Sequence, residues 1–321
     1  MIKIVALIIL IVLALLAQDP VPPKPAGPIV ELSMIVTDKD RKSVEMIDKS
    51  DIRIIEDKVE QTVLSVERDD RPMDYALIID SSNSLRRLLP AAVEAAKLII
   101  INRRGSDEIF IETFISSDKI EKLQEFTIDN TALIESLKLI RIEGGQSAVI
   151  DALYLGAEYV AQHNKTAESR RKAIVIITDG EDRNSYHKLE NLVSLLQKNR
   201  IQVFSLGLVI DLDNEAGLVR TSPRQKAEKL LNTLAAKTGG RALFPKTGAE
   251  LITATSEIIY DLRSQFRVTY QSTQGEKKGS RKVDVKVTSA TGQARRVLVP
   301  HVGPNDAAHE RNKKEKERKS Q

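Results

Sequence analysis

Two apolar runs that each end in an aspartate constrain this chain more than any other feature of its sequence. Tyr75-Ala76-Leu77-Ile78-Ile79 leads into Asp80, and Ala173-Ile174-Val175-Ile176-Ile177 leads into Thr178-Asp179-Gly180. Neither run alternates with polar residues, so each reads as a strand buried on both faces, as in a parallel sheet covered by helices. The surrounding stretch alternates accordingly. Strands are expected at 74–80, 108–114, 173–179, 202–208 and a short 241–244, with helices at 85–101, 130–139, 147–162, 187–198, 223–237 and 249–265. Gly239-Gly240 is a helix stop. Residues 119–127 follow the preceding strand after a short turn and are expected as an antiparallel edge strand. The prediction is an α/β fold on a doubly wound, mostly parallel sheet.

At both ends of this region the apolar period falls to two. Val30, Leu32, Met34 and Val36 alternate with polar neighbours, and 52–55 and 62–66 flank Glu56-Asp57-Lys58 as a hairpin. After residue 265, Phe266, Val268 and Tyr270 alternate, then Val283, Val285 and Val287, and 294–299 follows the turn at Thr291-Gly292. Three strands alone bury too little to be stable. The two flanks are therefore expected to fold together as a small β-sandwich-like unit. The resulting division is 1–17 signal peptide, 18–28 Pro-rich linker, 29–70 N-terminal β segment, 71–265 α/β domain, 266–302 C-terminal β segment and 303–321 charged tail.

The N-terminus predicts the compartment. Met1-Ile2-Lys3 precedes an apolar run over 4–17, which as a helix would rise only about 21 Å, short of a roughly 30 Å hydrocarbon core. One positive charge, a short apolar stretch and a small residue before a polar break describe a secretory signal peptide. A secreted, periplasmic or cell-envelope protein is expected, touching a membrane only through that segment if it stays uncleaved. With no cysteine, disulfides and lipid-modified cysteine are excluded. A net charge of +4, no tryptophan and 4% aromatics leave little from which to build a nucleic-acid surface.

The ends of the two core strands carry the chemistry. Asp80-Ser81-Ser82-Asn83-Ser84 follows the first, Asp179 ends the second, and Gly144-Gly145-Gln146-Ser147 opens a helical pattern between them. In open α/β sheets, ligands bind beyond the carboxyl ends of strands where the order reverses. If the two strands flank that switch, Ser82, Ser84 and Ser147 can aim hydroxyls at one point. Hydroxyls and carboxylates without cysteine or a nearby histidine pair suit a hard divalent cation such as Mg²⁺. Neutral hydroxyl ligands would leave the cation short of negative charge and open to a carboxylate from outside. Asp80 and Asp179 would then act through waters. The competing reading is that Ser84 and Ser147 cap the helices that follow them.

These residues resemble the metal-ion-dependent adhesion site of von Willebrand factor A domains, whose pattern is Asp-x-Ser-x-Ser, a Thr, and an Asp in a Thr-Asp-Gly context. Ser147 stands where the family usually has Thr. The resemblance covers about 73–265. The flanks, through 52–61 and 262–270, look like those of bacterial secreted proteins with such a domain, although the Arg-x-Gly-Tyr ending of that subgroup is absent and Arg296-Val297-Leu298-Val299 stands in its region. It implies a Rossmann-like fold and an extracytoplasmic protein-binding module rather than an enzyme. One Mg²⁺ (or Mn²⁺) would be held by Ser82, Ser84 and Ser147 with Asp80 and Asp179 behind, and completed by an Asp or Glu of a protein partner. The family's shift of the last helix would map to 249–265. Arg86, Arg87 and Arg183 are candidates for steering an acidic partner.

Two other classes stand beside this reading: a Mg²⁺-dependent phosphoester hydrolase and a structural envelope protein without metal. Phosphatases with a nucleophilic Asp after the first strand need a second carboxylate two residues on, where this chain has Ser82. His163, His187, His301 and His309 are scattered, which weakens Ser-His-Asp catalysis. His187 reads as a solvated residue at a helix start. Asp211-Leu212-Asp213-Asn214-Glu215 mimics a calcium loop but lacks its Gly and bidentate Glu, so 209–222 reads as a surface loop bordering the site. Asn164-Lys165-Thr166 is a glycosylation triplet with no further consequence.

Overall fold

The computed structural model describes residues 27–38, 40, 44–163, 170–212, 221–273, 282–288 and 294–298. The expected signal segment, all but the end of the Pro-rich linker, the glycosylation triplet, most of the 209–222 loop, the Thr291-Gly292 turn and the charged tail lie outside them. Among the described residues, no helix is long and apolar enough to cross a membrane.

The α/β part is a six-stranded sheet in the order β6-β5-β4-β7-β8-β9. Its strands are β4 (Met73–Asp80), β5 (Glu108–Ser116), β6 (Lys119–Thr127), β7 (Arg171–Thr178), β8 (Ile201–Gly207) and β9 (Arg241–Leu243). All neighbours are parallel except β6, which runs antiparallel to β5 at the edge. Because β4 is entirely buried, its side chains divide by parity. Tyr75, Leu77 and Ile79 pack with α1 (Leu89–Ile101), α2 (Asn130–Leu137) and α6 (Gly248–Arg263). Ala76 and Ile78 pack with α3 (Val149–Gln162), α4 (Leu189–Lys198) and α5 (Pro223–Thr238) on the other face. Two buried faces explain why the strand sequences show no polar alternation.

Three helices start later than the sequence suggested. A 3₁₀ turn over Asn83–Leu85 precedes α1, which begins at Leu89 with Pro90 in its first turn, where a missing N–H is harmless. The helix expected from 147 starts at Val149, and that expected from 187 starts at Leu189.

The flanks do fold together, and the expected sandwich-like unit closes into a barrel. Its strands are β1 (Ile29–Thr37), β2 (Ile52–Glu56), β3 (Val59–Arg68), β10 (Phe266–Gln271), β11 (Val283–Thr288) and β12 (Ala294–Leu298). Their order is β1-β10-β3-β2-β11-β12, and β12 pairs back with β1. Closure removes the exposed edges that an open three-strand sheet would leave. Val30, Leu32, Met34, Ile54, Val268 and Tyr270 fill the interior. The β2–β3 hairpin turns on Asp57 and Lys58, both at positive φ (47° and 75°), which matches the twist of its strands. The chain leaves the barrel near Asp69 and re-enters it near Gln265, and the Asp69 amide donates to the Gln265 carbonyl at 2.8 Å.

Candidate metal centre

Strand register brings the two aspartate segments side by side. β4 and β7 pair with Ile79 opposite Ile177, so Asp80 and Thr178 end their strands together. β5 lies on one side of β4 and β7 on the other, which puts the reversal of strand order here.

Asp80 is fully buried. Its Oδ1 accepts from the Ser82 amide at 2.9 Å, which folds the loop back over the strand end. Its Oδ2 accepts from Thr178 Oγ1 at 2.7 Å and, more loosely, from Ser147 Oγ at 3.5 Å. The Ser82 and Ser84 hydroxyls lie 3.0 Å apart. Ser81 points away, its Oγ donating to the Phe114 carbonyl and accepting from Thr113 Oγ1 at 2.9 Å. Alternation along the emerging strand thus sends Ser82 and Ser84 to the site and Ser81 into the sheet.

Asp179 Oδ1 accepts from the Glu181 amide at 2.9 Å. Its Oδ2 is buried with no hydrogen-bond partner. The turn itself depends on Gly180, whose φ is +75° and whose hydrogen faces Leu231 and Ala227 of α5. A Cβ there would meet Leu231 at 3.0 Å in a left-handed conformation that L side chains rarely adopt. The Gly180 amide donates to Thr178 Oγ1 at 2.9 Å, so this one hydroxyl ties the turn to Asp80.

Ser147 reaches the site because its loop is clamped from two sides. Glu143 pairs with Ser82, and a Cβ on Gly145 would fall 2.5 Å from Ile115, so glycine lets the backbone lie against β5. The Ser147 carbonyl accepts from the Arg183 amide at 2.8 Å. Neither serine caps its helix. The N-cap of α3 is Ala148, and its first amides are served from the loop after β7. The Ile150 amide donates to Asp182 at 3.1 Å and the Asp151 amide to Ser185 at 3.1 Å.

Asp151 returns the favour to that loop. It accepts from the Tyr186 and His187 amides, each at 2.8 Å, and from His187 Nδ1 at 2.7 Å. Burial works against its charge, but hydrogen bonds from Ser117, His187 and Tyr186 hold its carboxyl below the ordinary value. His187 is therefore not the solvated residue expected from sequence: it is pinned by Asp151 and stacked on Tyr154 at 3.8 Å. Sequence reasoning missed this network and the role of Thr178, whose only signal was its place before Asp179.

Electrostatically, the centre is short of positive charge. Burial, followed by the charge of Asp179, raises the Asp80 carboxyl to about 6, against the pull of the Ser82 and Thr178 hydrogen bonds. Burial likewise raises Asp179; the Ser84 hydroxyl lies nearby and eases that charge without closing a hydrogen bond to Oδ2. Two buried carboxylates, an orphaned oxygen and three hydroxyls fit an oxygen-liganded dication. The nearby arginines supply little free charge: Arg87 pairs with Asp211, Arg183 with Glu181 at 2.5 Å, and Arg86 bonds Asn83. The Arg87–Asp211 pair also sets the 209–211 turn beside the site.

A doubly wound sheet with polar side chains gathered at its switch point defines an α/β ligand-binding module. The von Willebrand factor type A domain model matches residues 74–257, more than half of the chain, and the chain belongs to that family. Such domains commonly mediate protein–protein interactions. The chain is also similar to several solved structures, of which the first agrees on the fold. A von Willebrand factor type A protein from Catenulispora acidiphila is 13% identical, with a TM-score of 0.50 over 88% of this chain and 74% of its own. An aerotolerance-related membrane protein from Bacteroides fragilis is 20% identical, with a TM-score of 0.45 over 58% of this chain and 98% of its own. BatB from Bacteroides thetaiotaomicron is 18% identical, with a TM-score of 0.45 over 60% and 100%. Comparison with curated protein sequences found no match.

Proposed function

We propose that this protein is an extracytoplasmic, metal-dependent protein-binding module and not an enzyme. Ser82, Ser84 and Ser147 would hold one Mg²⁺ (or Mn²⁺), with Asp80 and Asp179 acting through waters. The ion would supply a Lewis-acidic position for an Asp or Glu of a protein partner. The observation that carries this reading is the buried, unpartnered Oδ2 of Asp179 beside Asp80 and the serine hydroxyls. A buried carboxylate oxygen left without a donor is costly unless a cation or its waters satisfy it. The hydroxyls leave the ion's charge only partly matched, which favours an anionic partner group over a neutral one. The extracytoplasmic location rests on the N-terminal sequence.

The test is calorimetry of Mg²⁺ and Mn²⁺ binding to the wild-type protein and Asp80→Ala. One ion per chain at millimolar or tighter affinity, lost in the variant, is expected. No binding by the wild type at millimolar metal would refute the proposal. A phosphoester turnover abolished by Asp80→Ala would replace it with the hydrolase reading.

A further inference from the structure

The opposite end of the same strand carries a second constellation. Asp74 and Glu108 are register partners at the starts of β4 and β5. Parity sends both toward the face covered by α3, whose C-terminal cap is His163. Helix α3 runs back along the strand, so the loop leading into it presents Ser147 to Asp80 at one end and its C-cap presents His163 to Asp74 at the other. One ligand atom from each of Asp74, Glu108 and His163 lies within 4.8 Å of the other two. His163 Nε2 and Glu108 Oε2 are 3.3 Å apart.

From these residues we propose a Zn²⁺-type site formed by Asp74, Glu108 and His163, separate from the hydroxyl site and about 20 Å from it, six residues along β4.

Several observations support it. Asp74 is buried, with one of its oxygens, Oδ2, lacking any partner. Oδ1 is occupied by Arg170 Nε at 2.6 Å, which would orient the carboxylate from behind. Asp74 and Glu108 bring carboxylate charge to a place almost closed to water, with side-chain exposures of 1%, 12% and 15% for Asp74, Glu108 and His163. The negative end of the α3 dipole adds to it. A tetrahedral zinc with bonds near 2.0–2.1 Å spaces its ligands about 3.3 Å apart, and the His163–Glu108 separation already has that value. The His163 ring is held flat against Phe126, centroids 3.8 Å apart, which fixes its plane. An imidazole with two carboxylates suits zinc and its neighbours, whereas the hydroxyl site suits Mg²⁺. The ion would tie the starts of β4 and β5 to the end of α3.

The experiment is Zn²⁺ calorimetry on the full chain carrying Asp80→Ala, which removes the other site from the titration. One Zn²⁺ with micromolar or tighter affinity is expected, with at least about a tenfold loss in His163→Asn and in Glu108→Gln. His187→Asn is expected to leave it unchanged. X-ray absorption of the zinc-loaded protein should show imidazole and oxygen scatterers at about 2.0–2.1 Å, a readout that does not depend on any variant folding. Absence of Zn²⁺ binding at about 100 μM ion, roughly a hundredfold weaker than the micromolar affinity expected, would overturn the proposal and leave the three residues as a polar cluster without metal. Undiminished binding in His163→Asn, or absorption without imidazole, would also overturn it. None of these outcomes bears on Mg²⁺ binding by the wild type, so the two sites fail or stand separately.

Discussion

Thr178→Val isolates the hydroxyl that joins Asp80 to the Asp179 turn. Valine keeps the β-branched shape, so neither a cavity nor a loss of strand preference enters the comparison. Two hydrogen bonds disappear: Thr178 Oγ1 to Asp80 Oδ2 at 2.7 Å, and the Gly180 amide to Thr178 Oγ1 at 2.9 Å. Both are buried. The first is to an ionised acceptor near pH 7.5, above the value of about 6 to which burial raises Asp80, and such bonds contribute about 1.5–3 kcal/mol. The second leaves an N–H without a partner, a loss of about 1–3 kcal/mol. Together the expected destabilisation is about 2.5–6 kcal/mol, a large share of the ~5–15 kcal/mol typical of a folded domain. The same change frees the Asp80 carboxylate to rotate, so Mg²⁺ affinity should fall about 10- to 100-fold. Urea unfolding at pH 7.5 and Mg²⁺ calorimetry measure the two effects, and Thr178→Ser should restore both. A loss below about 0.5 kcal/mol, the range of an ordinary surface change, with unaltered Mg²⁺ affinity would refute the assignment of Thr178 as the positioning residue.

Two further perturbations probe the surroundings. Glu112 is buried on β5 with Oε1 lacking a partner, and burial raises its carboxyl to about 8 despite the charge of Lys122. The native state therefore holds a proton that the unfolded chain releases near pH 4.5; stability is fully present below that value and declines as pH rises toward 8, at about 1.4 kcal/mol per pH unit. Glu112→Gln should flatten urea midpoints between pH 5 and pH 8, and an unchanged slope would count against a buried neutral Glu112. Asp151→Ala removes three hydrogen bonds to residues 186 and 187, so a loss of about 3 kcal/mol is expected, with faster amide exchange at Tyr186 and His187; unchanged exchange would show that the loop is held by something else.

Much of the fold was legible because the central strands are buried on both faces, and uninterrupted apolar runs such as 75–79 and 173–177 have few other uses. The edge strand β6 could be placed because it follows β5 after a short turn. The helix starts were less legible. The helix expected from 85 starts at Leu89, because a 3₁₀ turn over Asn83–Leu85 imitates a helix start in sequence. Barrel closure could not be read locally, because it depends on β12 pairing with β1 from the other end of the chain. At the candidate site, Asp80, Ser82, Ser84, Ser147 and Asp179 were readable from motif and strand end, and the structure gathers them at one switch point. Thr178, Asp151 and the Asp74–Glu108–His163 group were not. Their roles follow from parity and register between segments far apart in the chain, which no local pattern records.

The central claim is a metal with an open position for an outside carboxylate, and electron–nuclear double resonance on the Mn²⁺-loaded protein with ¹³C-carboxyl acetate addresses it directly. The wild type is expected to show a ¹³C coupling of the size of direct ligation, and Asp80→Ala neither bound Mn²⁺ nor that coupling. Mn²⁺ held in a closed shell, with no ¹³C coupling at saturating acetate, would contradict the claim.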